Sequence, residues 1–468
     1  MSRTHTEESR FKSGTALARI AAVAGMLHHS SSVASVLSVT LLRLTPYSAI
    51  LHNTVRFITK VRLKWVKNRG FDHIIDRDTD IKAASLLIDL IARYPSSAPV
   101  PARSLSPLKK TLGLTIPVLR FLRRYPTLFA ESPHPRYPSL PSFSLAPAAV
   151  ILRRRELALY SDDAQAAASR LARLLMMSRS RSLPFLSLSS LRYDLGLPST
   201  FATTLVPSRP DLFRIIPPSE GGGQTRLSLV HLPEDLAVSA LQLRHADSIS
   251  NPSYRDFKRG AFSSATPLTF PMSFPRGYGA QKKVKAWMED FHRLPYFSPY
   301  DDWSGINQES ELMEKRVVGV LHEILSLTVH KKTKRNYLRS LRQDLGLPER
   351  FTRMFTRYPG IFYLSLKCKT TTVMLREGYQ KGKLVDPHPI SLLRDKLFYV
   401  MRTGILYRGK GMTKVVLDDD LDLLGDDDSG VGAFDGGNTS CDEDNDEDED
   451  GEWVEDGNSD SDSDSVED

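Results

Sequence analysis

The chain has 468 residues, 41% of them hydrophobic and 25% charged, which is an ordinary globular balance with room for two or three domains. That balance excludes a collagen-like, wholly disordered or polytopic membrane protein, and two cysteines, Cys368 and Cys441, exclude a disulfide framework and a cysteine-built zinc site. The 63 Lys+Arg and 55 Asp+Glu are unevenly placed: 24 acids and no bases lie between Asp418 and Asp468, so the first 417 residues hold 63 bases against 31 acids, a net +32. A basic body with a polyanionic end points to a polyanionic partner, nucleic acid first.

From Ser9 to Phe71 there is no Asp or Glu, while Arg10, Lys12, Arg19, Arg43, Arg56, Lys60 and Arg62 punctuate a Ser-, Ala- and Leu-rich stretch. This is the composition of an organelle transit peptide, so residues 1–61 are expected to be a leader and linker. A membrane span over Ile20–Leu42 is disfavoured, because His28, His29 and several serines would be costly in hydrocarbon. No stable membrane insertion is expected. Spaced arginines among hydrophobic residues, rather than a long Ser/Thr-rich start, favour the mitochondrion over the chloroplast.

The body, residues 62–405, carries an internal repeat. Leu112-Gly113-Leu114 is followed by Tyr125-Pro126 and Leu128-Phe129. Leu345-Gly346-Leu347 is followed at the same offsets by Tyr358-Pro359 and Ile361-Phe362, and Leu195-Gly196-Leu197 by Pro210 and Leu212-Phe213 with one residue inserted. Leu108, Leu191 and Leu341 precede each triplet by four residues, one helical turn back on the same face. The glycine then reads as a helix C-cap in the left-handed conformation, and Pro198 and Pro348 stop the helix from continuing.

The spacing predicts a helix ahead of each triplet, over Lys82–Arg93, Ala164–Met177 and Met313–Thr328. Asp76, Asp78 and Asp80 are expected to cap the first of these. A further helix is expected from Pro348 to Arg357. Hairpins follow: Phe213–Ile216 with Arg226–Val230 around Gly221-Gly222-Gly223, and Ile361–Leu366 with Thr371–Leu375 around Lys367-Cys368-Lys369. Three helices and a hairpin make a winged-helix-like unit. The predicted fold is therefore α+β, mainly helical, with three tandem modules at about 72–150, 160–240 and 310–380. Residues 406–468 are read as a linker and an acidic tail, too charged to bury a core and hence disordered.

Cations recur at matched repeat positions. Arg120 and Arg124 lie 8 and 12 residues beyond the first leucine of their triplet, as do Arg353 and Arg357. Residues four apart share a helix face, and Leu122 and Phe355, between them, should face inward. Guanidinium groups so placed can lie on phosphates. The middle copy has Thr203 and Pro207 instead, and should act as a spacer. Lys331, Lys332, Lys334 and Arg335 form a second cluster. A third, Lys282, Lys283 and Lys285, is interleaved with Phe270, Phe274, Tyr278, Trp287 and Phe291, a combination suited to single-stranded RNA, although most of these aromatics, Trp287 included, read better as core. No phosphate-binding loop, dinucleotide loop, zincin pair, calcium loop or catalytic constellation is present. No cofactor, metal or small-molecule substrate is therefore expected.

Several segments resemble the plant organelle RNA recognition family. They are Lys64–Pro95 with Phe71-Asp72-His73-Ile74-Ile75-Asp76, Leu174–Arg181, Phe270–Gly279, Leu294–Tyr300, and Glu314–Tyr379 with Pro359-Gly360-Ile361-Phe362-Tyr363-Leu364-Ser365. The resemblance implies a nuclear-encoded plant protein imported into an organelle, without catalytic residues, that binds organellar intron RNA and assists group II intron splicing beside other splicing factors. Alternatives are an organellar DNA-binding protein and a protein scaffold.

Overall fold

The computed structural model describes residues 61, 63, 65–94, 99–218, 223–250, 268–275, 281–366 and 371–407. The expected leader, the acidic tail, Gly221-Gly222 and the loop around Cys368 lie outside the described residues.

The described residues form an α+β structure of long and short helices and small antiparallel sheets. The first unit runs α1 (Arg69–Ala92), β1 (Val100–Pro101), α2 (Ala102–Leu105), α3 (Lys109–Leu112), α4 (Val118–Arg124), β2 (Phe129–Pro133) and β3 (Pro141–Leu145). After α5 (Pro147–Asp162), the second is α6 (Ala164–Met176), β4 (Ser182–Pro184), α7 (Phe185–Leu191), α8 (Leu205–Ser208), β5 (Phe213–Ile216) and β6 (Arg226–Leu229). A connector holds α9 (Ala240–Ser250) and α10 (Lys282–Arg293). The third unit is α11 (Glu311–Leu327), β7 (Lys332–Lys334), α12 (Arg335–Arg339), α13 (Met354–Arg357), β8 (Phe362–Ser365) and β9 (Thr372–Leu375). The small ribbon β10 (Tyr379–Gln380) and β11 (Lys383–Leu384) and the helix α14 (Pro389–Tyr407) complete the order.

Each unit has a three-stranded antiparallel sheet in which the last strand lies between the other two: β1-β3-β2, β4-β6-β5 and β7-β9-β8. The hairpin expected from sequence is thus joined by a strand of two or three residues that precedes the second helix. That strand is too short to leave a period in the sequence.

The repeat has one local geometry throughout. Gly113, Gly196 and Gly346 have φ of +71°, +69° and +61°. In each case the following leucine N–H reaches the carbonyl five residues back, at 3.1, 2.8 and 2.9 Å, closing the helix as a left-handed C-cap does. Downstream, the N–H groups of Leu128 and Phe129 converge on Tyr125 O, those of Leu212 and Phe213 on Arg209 O, and those of Ile361 and Phe362 on Tyr358 O. This tight turn feeds the second strand.

Two sequence expectations are corrected. The first helix starts at Arg69, capped by the Asn68 side chain that accepts from Phe71 N at 3.1 Å. Asp76, Asp78 and Asp80 therefore lie inside it and cap nothing. The expected helix over Pro348–Arg357 is a 3-10 turn, Phe351–Arg353, followed by the single turn α13.

One apolar core runs through the second and third units and the connector, from Leu171 and Leu188 to Leu321 and Phe362, and includes Phe270, Trp287 and Phe291. A second fills the first unit and is closed by Leu393, Leu397, Val400 and Met401 of α14. Helix α1 joins the units. Asp72 accepts from Tyr363 Oη at 2.9 Å and Ser365 Oγ at 2.6 Å, Asp78 pairs with Lys332, and Lys82 Nζ meets Asp194 Oδ1 at 3.0 Å. Asp194 also accepts from Thr333 Oγ1 at 2.7 Å, so one carboxylate ties all three units.

Candidate nucleic-acid interface

The matched arginines divide into two kinds. Arg120 and Arg353 are exposed and make no ion pair among the described residues. Their partners one turn on are held. Arg357 Nη1 sits 3.0 Å from Glu314 Oε1 on α11, and Arg124 lies 3.9 Å from Asp80 Oδ2 on α1. The same two carboxylates accept from the repeat tyrosines, Tyr358 Oη to Glu314 at 2.6 Å and Tyr125 Oη to Asp80 at 2.7 Å. The Arg-Tyr step of the repeat is thus a clamp that fastens the third helix to the first helix of its own unit. Burial, followed by the neighbouring acid, raises both tyrosine pKa values well above normal, so both hydroxyls stay protonated donors. Between the arginines, Leu122 and Phe355 are buried.

The lysines of α10 are all exposed, without an ion pair among the described residues, while Val284, Trp287 and Phe291 on the opposite side are buried. Trp287 stacks on Phe291 at 5.9 Å and packs on Tyr358 at 5.2 Å. These aromatics are core, and the charge is left to the outer face.

The 331–335 cluster is mostly turned inward. Lys332 is buried against Asp78, and burial holds its pKa well below the usual lysine value. Lys331 adopts φ +51° and donates from Nζ to Ser326 O at 2.6 Å. Lys334 lies 5.9 Å above the Tyr337 ring, and Arg335 is half-buried. Buried and paired with Asp78, Lys332 is turned away from solvent, so it leaves the candidate interface. Sequence reasoning passed over Arg103, Lys110 and Arg350, which are exposed and without an ion pair among the described residues. Their signal was available: Lys110 and Arg350 flank the Leu-Gly-Leu triplets. In the middle unit Thr203 and Pro207 are exposed at the matched positions, leaving that face uncharged there.

Among the described residues no group of three or more His, Cys, Asp or Glu side chains is placed to hold a metal ion, and no helix is long and apolar enough to cross a membrane.

Repeated units that present cations on a face backed by core have the charge arrangement a polyanion can meet. The chain matches the plant organelle RNA recognition domain over residues 66–405 and belongs to that family. It is 32% identical over 380 residues to What's This Factor 9, mitochondrial, of Arabidopsis thaliana, covering 79% of this chain and 94% of that protein. It is 32% identical over 343 residues to What's This Factor 1, chloroplastic, of Zea mays, covering 73% of this chain and 67% of that protein. Root Primordium Defective 1 of Arabidopsis thaliana is 29% identical over 345 residues, covering 71% and 81%. No solved structure matches the chain.

Proposed function

We propose that the chain is an imported, mitochondrial RNA-binding protein that promotes group II intron splicing without catalysing it. The observation that carries this reading is the pair Arg120 and Arg353: equivalent in the repeat, both exposed, both without an acid partner among the described residues. Lys282, Lys283 and Lys285 add a third cationic site, with Lys334 and Arg335 contributing at their exposed edges. Family membership supports organellar RNA as the polyanion, and the resemblance to a mitochondrial relative over nearly its whole length supports the compartment.

The three units are read as winged-helix-like modules. Their support is the shared order of a long helix, a short strand, helical turns and a hairpin, with the last strand central in each sheet. Residues 1–61 serve as leader and 406–468 as linker and acidic tail.

Binding of this kind releases counterions. Affinity for intron RNA should fall about 10³-fold or more between ~50 and ~200 mM salt, and each phosphate-contacting cation replaced by alanine should reduce the log–log slope by about one. The direct test is immunoprecipitation from isolated mitochondria and sequencing of bound RNA. Enrichment of particular intron RNAs supports the reading. Recovery of DNA, or of protein that survives nuclease treatment, assigns the basic surface to another partner.

A further inference from the structure

Between the first two units lies a cavity of about 330 Å³, walled by α1, α5 and the turn after the second Leu-Gly-Leu. That is enough for one heteroaromatic base and its immediate surroundings. Its polar groups are not evenly engaged. Asp89 is neutralised from both sides, by Arg93 Nη2 at 2.8 Å and Arg153 Nη1 at 2.6 Å. Glu156 receives only Tyr160 Oη, on Oε1 at 2.9 Å, leaving its second oxygen without a donor among the described residues. Arg192, on the facing turn, makes no ion pair among the described residues.

Behind this wall, Arg153 and Glu156 also line a smaller cavity of about 20 Å³ together with Arg394. Arg394 is 2% exposed, lies 3.6 Å over the Tyr193 ring and donates from Nη2 to Tyr193 O, yet its Nε and Nη1 have no hydrogen-bond partner among the described residues. The site combines an acceptor, the Glu156 carboxylate, with Arg93 and Arg192 on its lining. It suits a neutral ring whose edge carries N–H donors and whose phosphates stay outside. Burial, only partly offset by Arg394, raises the Glu156 pKa, and a pair of N–H donors on the carboxylate would favour its charged form.

We propose that this cavity takes one unstacked guanine of the bound RNA, its N1–H and N2–H donating to Glu156 while Arg93 and Arg192 hold the flanking phosphates. The inference rests on the RNA-binding reading above. RNA-binding proteins commonly read splayed-out bases in this way, and guanine is the base that presents two adjacent donors to one carboxylate.

The test measures binding of the full chain to a short uridine oligonucleotide carrying one central guanosine, adenosine or inosine, and to guanosine monophosphate alone. The expected order is guanosine tightest by about tenfold over adenosine, with inosine, which lacks the N2 donor, between them. Glu156→Gln should bring the guanosine oligonucleotide down to the adenosine level. Leu157→Trp, at a 52% exposed position on the cavity wall, should do the same by blocking the entrance without touching a buried charge. A 6-thioguanosine at the central position should crosslink within residues 192–200. Equal affinity for all three oligonucleotides, or a crosslink elsewhere, overturns the proposal. Guanosine monophosphate binding as tightly as the oligonucleotide also overturns it and makes the cavity a free-nucleotide site. Failure of the folded chain to bind any oligonucleotide defeats the RNA-binding reading instead, and is distinguishable from loss of base preference alone.

Discussion

Arg353 and Arg357, one helical turn apart in the same repeat, serve two ends. The first is exposed and makes no ion pair among the described residues, while the second is bonded to Glu314. Replacing Arg120 and Arg353 together by alanine should weaken RNA binding several-fold with no change in melting temperature. Replacing Arg357 should lower stability by about 1 kcal/mol, because a partly exposed pair is lost and Glu314 keeps only Tyr358. Melting curves and binding isotherms on the same samples separate the two effects. Burial has a separate consequence at Lys315, whose Nζ donates to His292 O at 3.1 Å and Leu294 O at 2.6 Å. Burial lowers the Lys315 pKa from 10.5 to about 7. Burial and then Lys315 lower the His292 pKa from 6.5 to about 4. In both cases the unfolded chain binds the extra proton within the window, so stability rises with pH there: from about 4 to 6.5 through His292 and from about 7 to 10.5 through Lys315. Denaturant melts of Lys315→Met should show a flatter rise across the upper window than the native chain. An unchanged slope would assign the rise to other groups.

At the scale of elements, the repeat glycine is required more strictly in some copies than in others. A Cβ on Gly346 would stand 2.1 Å from the Trp303 ring, while one on Gly113 would meet only the end of the Lys334 side chain at 3.3 Å. Both have positive φ. Gly346→Ala should therefore cost about 2–5 kcal/mol, as backbone strain and overpacking add, and Gly113→Ala about 1–2 kcal/mol from strain alone. Chemical denaturation of the two variants gives the comparison directly. The contrast also marks what a sequence can and cannot reveal. Glycine caps, hairpins and the inward Leu122 and Phe355 depend on neighbours within a few residues, so spacing exposes them. The anchoring of Asp72 and the burial of Lys332 do not. Asp72 finds Tyr363 across 291 positions of chain, and Lys332 finds Asp78 just as remotely. A lysine run looks the same in sequence whether it faces solvent or another unit. The ion pairs of Arg124 and Arg357 escaped the sequence reading for a related reason. The acids that hold Arg124 and Arg357 sit on a preceding helix, and nothing in the local pattern announces them.

At the scale of the whole molecule, α14 completes a core that begins at α1. Leu393, Leu397, Val400 and Met401 bury themselves among Leu87, Ala149 and Leu152, Thr127 Oγ1 donates to Val400 O at 2.9 Å, and Arg77 on α1 pairs with Asp395 at 2.8 Å. A chain ending at residue 388 should therefore keep the core shared by the second and third units and lose protection in the first, which limited proteolysis would show as cleavage within residues 69–152. The same closure sets an order of events. A protein threaded through a membrane from its amino end delivers α1 first and α14 hundreds of residues later. Until the last helix emerges, Leu87, Ala149 and Leu152 stand uncovered, so the first part to arrive is the last to become stable. On the import proposed above, that apolar surface would need shielding during the interval, and native packing of the first unit would report delivery through to α14.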